Sequence, residues 1–118
     1  MGLDISNLQN DQAFKQTPLF DACAIKDQER CIKLVRFFIE KGVKATQEDS
    51  LKQLPIYYAV REGHSSAIDI LIKEGSNVNH LDTYGQTPIF YSIREGNIVT
   101  TKQLMQNGAD AEIVDNNG

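Results

Sequence analysis

Two cysteines and two histidines are the residues of this chain best suited to nucleophilic or metal chemistry. Cys23 and Cys31 stand eight positions apart, which is not the C-x-x-C spacing of redox or zinc motifs. Their pattern suits small buried hydrophobes better than nucleophiles. His64 and His80 have no cysteine at ligand spacing, so no zinc site is expected. No serine occupies a G-x-S-x-G elbow, and neither G-x-x-x-x-G-K-[ST] nor G-x-G-x-x-G occurs. The 16 acidic residues show no pairing in sequence that would build a general acid and base. The expectation is a chain with no catalytic residue, no metal and no cofactor. What remains is recognition chemistry. Tyr58, Tyr84 and Tyr91 accompany Arg61 and Arg94, and Tyr and Arg are the side chains most enriched at interface hot spots.

Those side chains must be carried by a folded scaffold. The chain has 118 residues, 41% of them hydrophobic and 24% charged, the balance of one soluble domain. Its formal charge of −4 argues against a general nucleic-acid or anionic-membrane binder, since both draw on a basic field. No apolar run approaches the roughly 18 residues of a membrane span, and no secretory signal pattern opens the chain. Met1 to Ser6 fits the loose N-myristoylation pattern with Gly2 as acceptor, but an initiating Met followed by Gly fits equally well. No membrane association is expected from it. Two cysteines do not make a disulfide framework, which implies an intracellular protein, cytoplasmic or nuclear.

The organising signal is a period of 33 residues. Shifted by that amount, Pro55 falls on Pro88, Tyr58 on Tyr91, Arg61-Glu62-Gly63 on Arg94-Glu95-Gly96, Leu71 on Leu104 and Gly75 on Gly108. Gly42 lies one further period upstream. Matched prolines and glycines punctuate structure, and a fixed period of this size indicates a repeat architecture. Within the unit that opens at Asp82, Asp82-Thr83-Tyr84-Gly85 forms a turn. Thr87-Pro88 then reads as an N-cap and first helical position, giving a helix over 88–95 and a second over 98–107, each stopped by a glycine. The preceding unit repeats the plan with helices over 55–62 and 65–74. The first unit starts at Thr17-Pro18 and carries four extra residues near Lys26 to Arg30, either a longer loop or an extra helical turn. None of these helices is long enough to be stable alone, so each must pack against its neighbours.

The period, the turn-plus-two-helices plan and the openings Thr17-Pro18-Leu19-Phe20, Leu54-Pro55-Ile56-Tyr57 and Thr87-Pro88-Ile89-Phe90 resemble the ankyrin repeat. Gly63-His64 and Gly108-Ala109-Asp110 are similar to the family's inter-helix and closing motifs. The resemblance implies an all-α solenoid of stacked helix-turn-helix units with short β-hairpin turns. Its units would be 16–48, 49–81 and 82–114, with the start of a further turn at 115–118 and a capping or partly ordered segment at 1–15. Asp115-Asn116-Asn117-Gly118 repeats the turn that opens a unit, so the chain is expected to be part of a longer protein.

Departures from the motif give further expectations. Phe20, Tyr57 and Phe90 stand where the family has His and should fill the same space without its ring hydrogen bonds. Leu54 replaces the capping Thr and should weaken its helix start, so that Leu54→Thr is expected to stabilise. Lys52 replaces the turn glycine of Gly85, implying a differently built tip. His80 is expected to be solvated. Stacking should align Lys26 with Arg61 and Arg94, and Asp27 with Glu62 and Glu95.

By the resemblance, partners bind on the concave side. The turn tips would contribute Leu51, Gln53, Thr83, Tyr84 and Gln86, and the first helices Tyr58, Arg61, Glu62, Tyr91, Arg94 and Glu95. The expected function is a protein–protein interaction module within a multidomain protein, binding another protein or peptide as a monomer. The alternative is an aromatic cage of Tyr58, Tyr84 and Tyr91, assisted by Glu62, that reads methylated lysine or a small cation.

Overall fold

A computed structural model describes residues 16–112. The expected N-terminal segment, the Gly2 acceptor and the turn at 115–118 lie outside those residues. Six helices follow in order: α1 (Pro18–Ala24), α2 (Gln28–Glu40), α3 (Pro55–Glu62), α4 (Ser65–Lys73), α5 (Pro88–Arg94) and α6 (Ile98–Gln106). They pair as α1/α2, α3/α4 and α5/α6. The first helices pack side by side, α1 on α3 and α3 on α5, while α2 packs on α4. Gln103 of α6 reaches α4 through the Ser65 carbonyl at 2.8 Å and Asp69 at 3.0 Å. The result is an elongated stack, 48 × 28 × 22 Å, as the repeat predicts.

Each element follows from local chemistry. Proline opens all three first helices. The second helices each end two residues before a glycine of positive φ: Gly42, Gly75 and Gly108 at 91°, 100° and 92°. The four extra residues of the first unit form a helical turn, because α2 has 13 residues where α4 and α6 have 9. Asp27 makes that start possible, its carboxylate accepting from the N–H groups of Glu29 at 3.0 Å and Arg30 at 3.2 Å.

Side-chain capping occurs at two of the second helices, α2 and α6, and is missing from α4 and from all three first helices. Asn97 accepts from the Thr100 N–H at 3.0 Å. Thr17 and Thr87, expected as caps, accept no N–H, and their hydroxyls are buried without a partner. Their role is to fill space in the core. Leu54, buried at the same position, does that without an orphaned hydroxyl, so the capping bond on which the expected gain from Leu54→Thr rested is not made at the equivalent threonines.

The core lies between the two helix layers and between units, with Leu19, Val35, Ile56, Val60, Ile68, Leu71 and Leu104 fully buried. Phe20 and Tyr57 fill the inter-unit space as expected and Phe90 is half-buried. Tyr57 also hydrogen-bonds, contrary to expectation: its hydroxyl lies 2.7 Å from the His80 carbonyl and 2.8 Å from the Gln86 carbonyl. Ile93 is 56% exposed, whereas its equivalent one period earlier, Val60, is fully buried.

Candidate functional site

The turn tips are built around two aspartates. Asp49 accepts from the N–H groups of Leu51 at 2.9 Å and Gln53 at 3.0 Å, and its second oxygen accepts from the Tyr58 hydroxyl. One unit later Asp82 accepts from the N–H groups of Tyr84 at 2.9 Å and Gln86 at 3.0 Å, and from the Tyr91 hydroxyl at 2.6 Å. The backbone closes each tip, Asp49 N–H to the Gln53 carbonyl and Asp82 N–H to the Gln86 carbonyl. Thr83 N–H donates to the Leu51 carbonyl at 2.8 Å and ties adjacent tips together. Lys52 adopts φ 60°, near the 75° of Gly85, so both tips share one geometry and the expected difference does not arise.

Glutamines join one unit to the next. Gln53 donates to Asp82 at 2.9 Å and to the Tyr91 hydroxyl at 3.2 Å, and Gln16 donates to the Tyr58 hydroxyl at 2.8 Å. The Gln53 side-chain oxygen Oε1 accepts from Arg61 Nη2 at 2.8 Å. Arg61 lies between two rings, 4.5 Å from the Tyr91 centroid and 5.2 Å from that of Tyr58. Burial, foremost, and then the aspartate hydrogen bonds push the Tyr58 and Tyr91 hydroxyls well above the usual tyrosine range. Burial does the same for Tyr57. These hydroxyls stay protonated and donate.

Above this lattice lies an open groove of about 500 Å³. Its walls are Leu51, Tyr84 and Gln86 from the tips and Arg61, Tyr91, Arg94 and Glu95 from α3, α5 and the residue after α5; Gln53 completes the lining. These are eight of the eleven residues expected at the site. Leu51 and Tyr84 are 38% and 48% exposed, whereas Gln53 is 1% exposed and belongs to the scaffold more than to the surface. Tyr58, Glu62 and Thr83 lie outside the lining. Tyr58 packs edge-on against Phe20 at 5.3 Å, and Glu62 pairs with Lys26 at 3.7 Å. That pair, with Asp27 as helix cap, replaces the expected Lys26–Arg61 and Asp27–Glu62 rows. α1 ends at Ala24, so those residues belong to the link before α2.

A family model for ankyrin repeats, three copies, matches residues 2–82 and 28–117. The chain belongs to the ankyrin repeat family. No curated protein matches it. Ankyrin repeats are generally protein–protein interaction modules.

The remaining candidates take structural places in the ankyrin stack. His64 is buried and its Nε2 hydrogen-bonds the Ile25 carbonyl, tying the second unit to the first. His80 is half-buried: its Nε2 lies 2.9 Å from both Glu48 Oε2 and the Lys52 carbonyl, which corrects its expected solvation. Cys23 and Cys31 are buried free thiols; burial pushes the first well up and the second up to about 11, so neither is primed as a thiolate. Among the described residues no group of His, Cys, Asp or Glu could hold a metal ion, and no helix is long and apolar enough to cross a membrane.

Sequence reasoning missed the lattice. Its signal was available: Asp49/Asp82, Gln53/Gln86 and Tyr58/Tyr91 recur at the period of the fold. Polar residues repeated at the stacking period mark contacts between units as readily as a binding face.

Proposed function

We propose that this ankyrin array captures an exposed segment of another protein in the groove between turn tips and first helices. The observation that carries the reading is that the groove joins two successive tips to two successive first helices, with exposed Leu51 and Tyr84 beside Arg61 and Arg94. Arg and Tyr are hot-spot residues, and here they stand on a rigid support. The binding unit in this reading is the array of 16–118, preceded by the segment 1–15, acting as a monomer without cofactor and without catalysis. An intracellular setting, cytoplasmic or nuclear, agrees with the two unpaired thiols. The methyl-lysine cage is less well supported, because the Arg61 guanidinium already occupies the faces of Tyr58 and Tyr91.

The test is affinity capture from native extract with wild type and two variants. Leu51→Ala/Tyr84→Ala/Arg94→Ala changes the groove and spares the lattice. Leu34→Ser/Phe37→Ser changes exposed residues of α2. The reading expects the first variant to lose partners that the second retains. Equal retention by both would refute it.

A further inference from the structure

We propose that the segment seated in the groove is acidic, an extended peptide whose Asp or Glu carboxylate is gripped by Arg61 and Arg94. This deepens the groove reading and stands on it. Arg61 is set in place before any partner arrives. Its guanidinium lies over Tyr91 and Tyr58, and Nη2 is held by Gln53 at 2.8 Å. A guanidinium carries five N–H donors in a planar fork that matches a carboxylate, and Gln53 takes only one of them. Fixing that fork in advance removes much of the ordering entropy that a free arginine would lose on binding.

No carboxylate of the described residues forms an ion pair with Arg61 or Arg94. The two aspartates of the tips are already committed. Asp49 holds two backbone N–H groups and the Tyr58 hydroxyl. Asp82 holds two backbone N–H groups, the Tyr91 hydroxyl and Gln53. Neither can turn to neutralise the guanidinium without breaking its tip. In a chain of net charge −4, this groove therefore presents two guanidinium groups that make no ion pair among the described residues, beside two exposed apolar side chains, Leu51 and Tyr84. The complementary ligand alternates a carboxylate with an aliphatic or aromatic side chain. Glu95, in the same lining, disfavours that ligand and provides a control of opposite sign.

The test is fluorescence anisotropy on the full chain with three labelled peptides: alternating Asp and Leu, its Asn and Leu counterpart, and a phosphoserine and Leu version. The expected result is binding of the Asp peptide at least about tenfold tighter than the Asn peptide at low salt, with the difference shrinking as salt rises. Arg94→Gln, an exposed change that leaves the lattice intact, abolishes most of that difference. Glu95→Gln strengthens binding of the Asp peptide. Equal binding of Asp and Asn peptides, weakened alike by Leu51→Ala/Tyr84→Ala, overturns the acidic assignment and leaves the groove reading standing. Binding of the phosphoserine peptide alone overturns the carboxylate assignment. Absence of all peptide binding overturns the proposal, and the groove reading falls with it only if partner capture is also indifferent to Leu51, Tyr84 and Arg94.

Discussion

Replacing Tyr91 by Phe isolates what the inter-unit lattice contributes. The hydroxyl donates to Asp82 at 2.6 Å and accepts from Gln53 at 3.2 Å. A hydrogen bond to a charged acceptor is worth about 1.5–3 kcal/mol net. The bond from Gln53 adds little, since Gln53 Nε2 keeps Asp82 at 2.9 Å. Phe preserves the ring under Arg61 and the edge-on contact with Tyr57 at 5.7 Å. The expected loss is therefore about 2–3 kcal/mol, a large share of the roughly 5–15 kcal/mol that holds a typical domain. The Tm should fall by roughly 8–15 °C. Urea denaturation followed by far-UV circular dichroism measures the change, with Tyr84→Phe as an exposed control expected within about 0.5 kcal/mol of wild type. A Tyr91→Phe variant as stable as that control would refute the assignment of Tyr91 to the stack.

Three other outcomes follow from the geometry. Lys52→Gly relieves a left-handed conformation worth about 1–2 kcal/mol but adds about 0.4–1 kcal/mol of unfolded-chain freedom. A net gain of about 0.5–1 kcal/mol is expected in the same denaturation assay, and a loss would contradict it. Leu54→Thr should destabilise by about 2–4 kcal/mol, through lost burial and a hydroxyl orphaned like those of Thr17 and Thr87; a rise in Tm would contradict it. Tyr57, Tyr58 and Tyr91 have folded pKa values raised above their unfolded value of about 10. The folded state therefore keeps protons that the unfolded chain releases. Their stabilisation is complete below about pH 10 and is lost as pH rises toward the folded values. Tyrosinate absorbance should rise together with loss of helix, whereas ionisation of all four tyrosines with helicity intact would contradict the burial of their hydroxyls.

Helix boundaries were legible because proline and glycine act through backbone geometry, which residue type alone discloses. Pro55, Pro88 and the glycines at 42, 75 and 108 set the element ends to within a residue of expectation. Side-chain direction was not legible in the same way. Thr17 and Thr87 have the composition of N-caps, yet their hydroxyls turn into the core, and nothing in the residue type says which way χ1 will point. Lys52 shows the complementary limit: Asp49 and its two backbone hydrogen bonds impose the tip, and the local preference of Lys yields to them. The groove residues were found through the resemblance and the Tyr and Arg content. Their division into scaffold (Gln53, Tyr91) and exposed wall (Leu51, Tyr84) needed burial, which period alone does not supply.

The central claim is that a stack tied together by repeated Asp–Tyr–Gln links leaves its tip-and-first-helix side free for a partner. Hydrogen–deuterium exchange of the chain, free and saturated with a captured partner, tests it most directly. Protection concentrated at Leu51 to Gln53, Tyr84 to Gln86 and Tyr91 to Glu95, with the amides of α2 and α4 unchanged, is the predicted footprint. Protection centred on Leu34 and Phe37 of α2, with the tips unaltered, would contradict it.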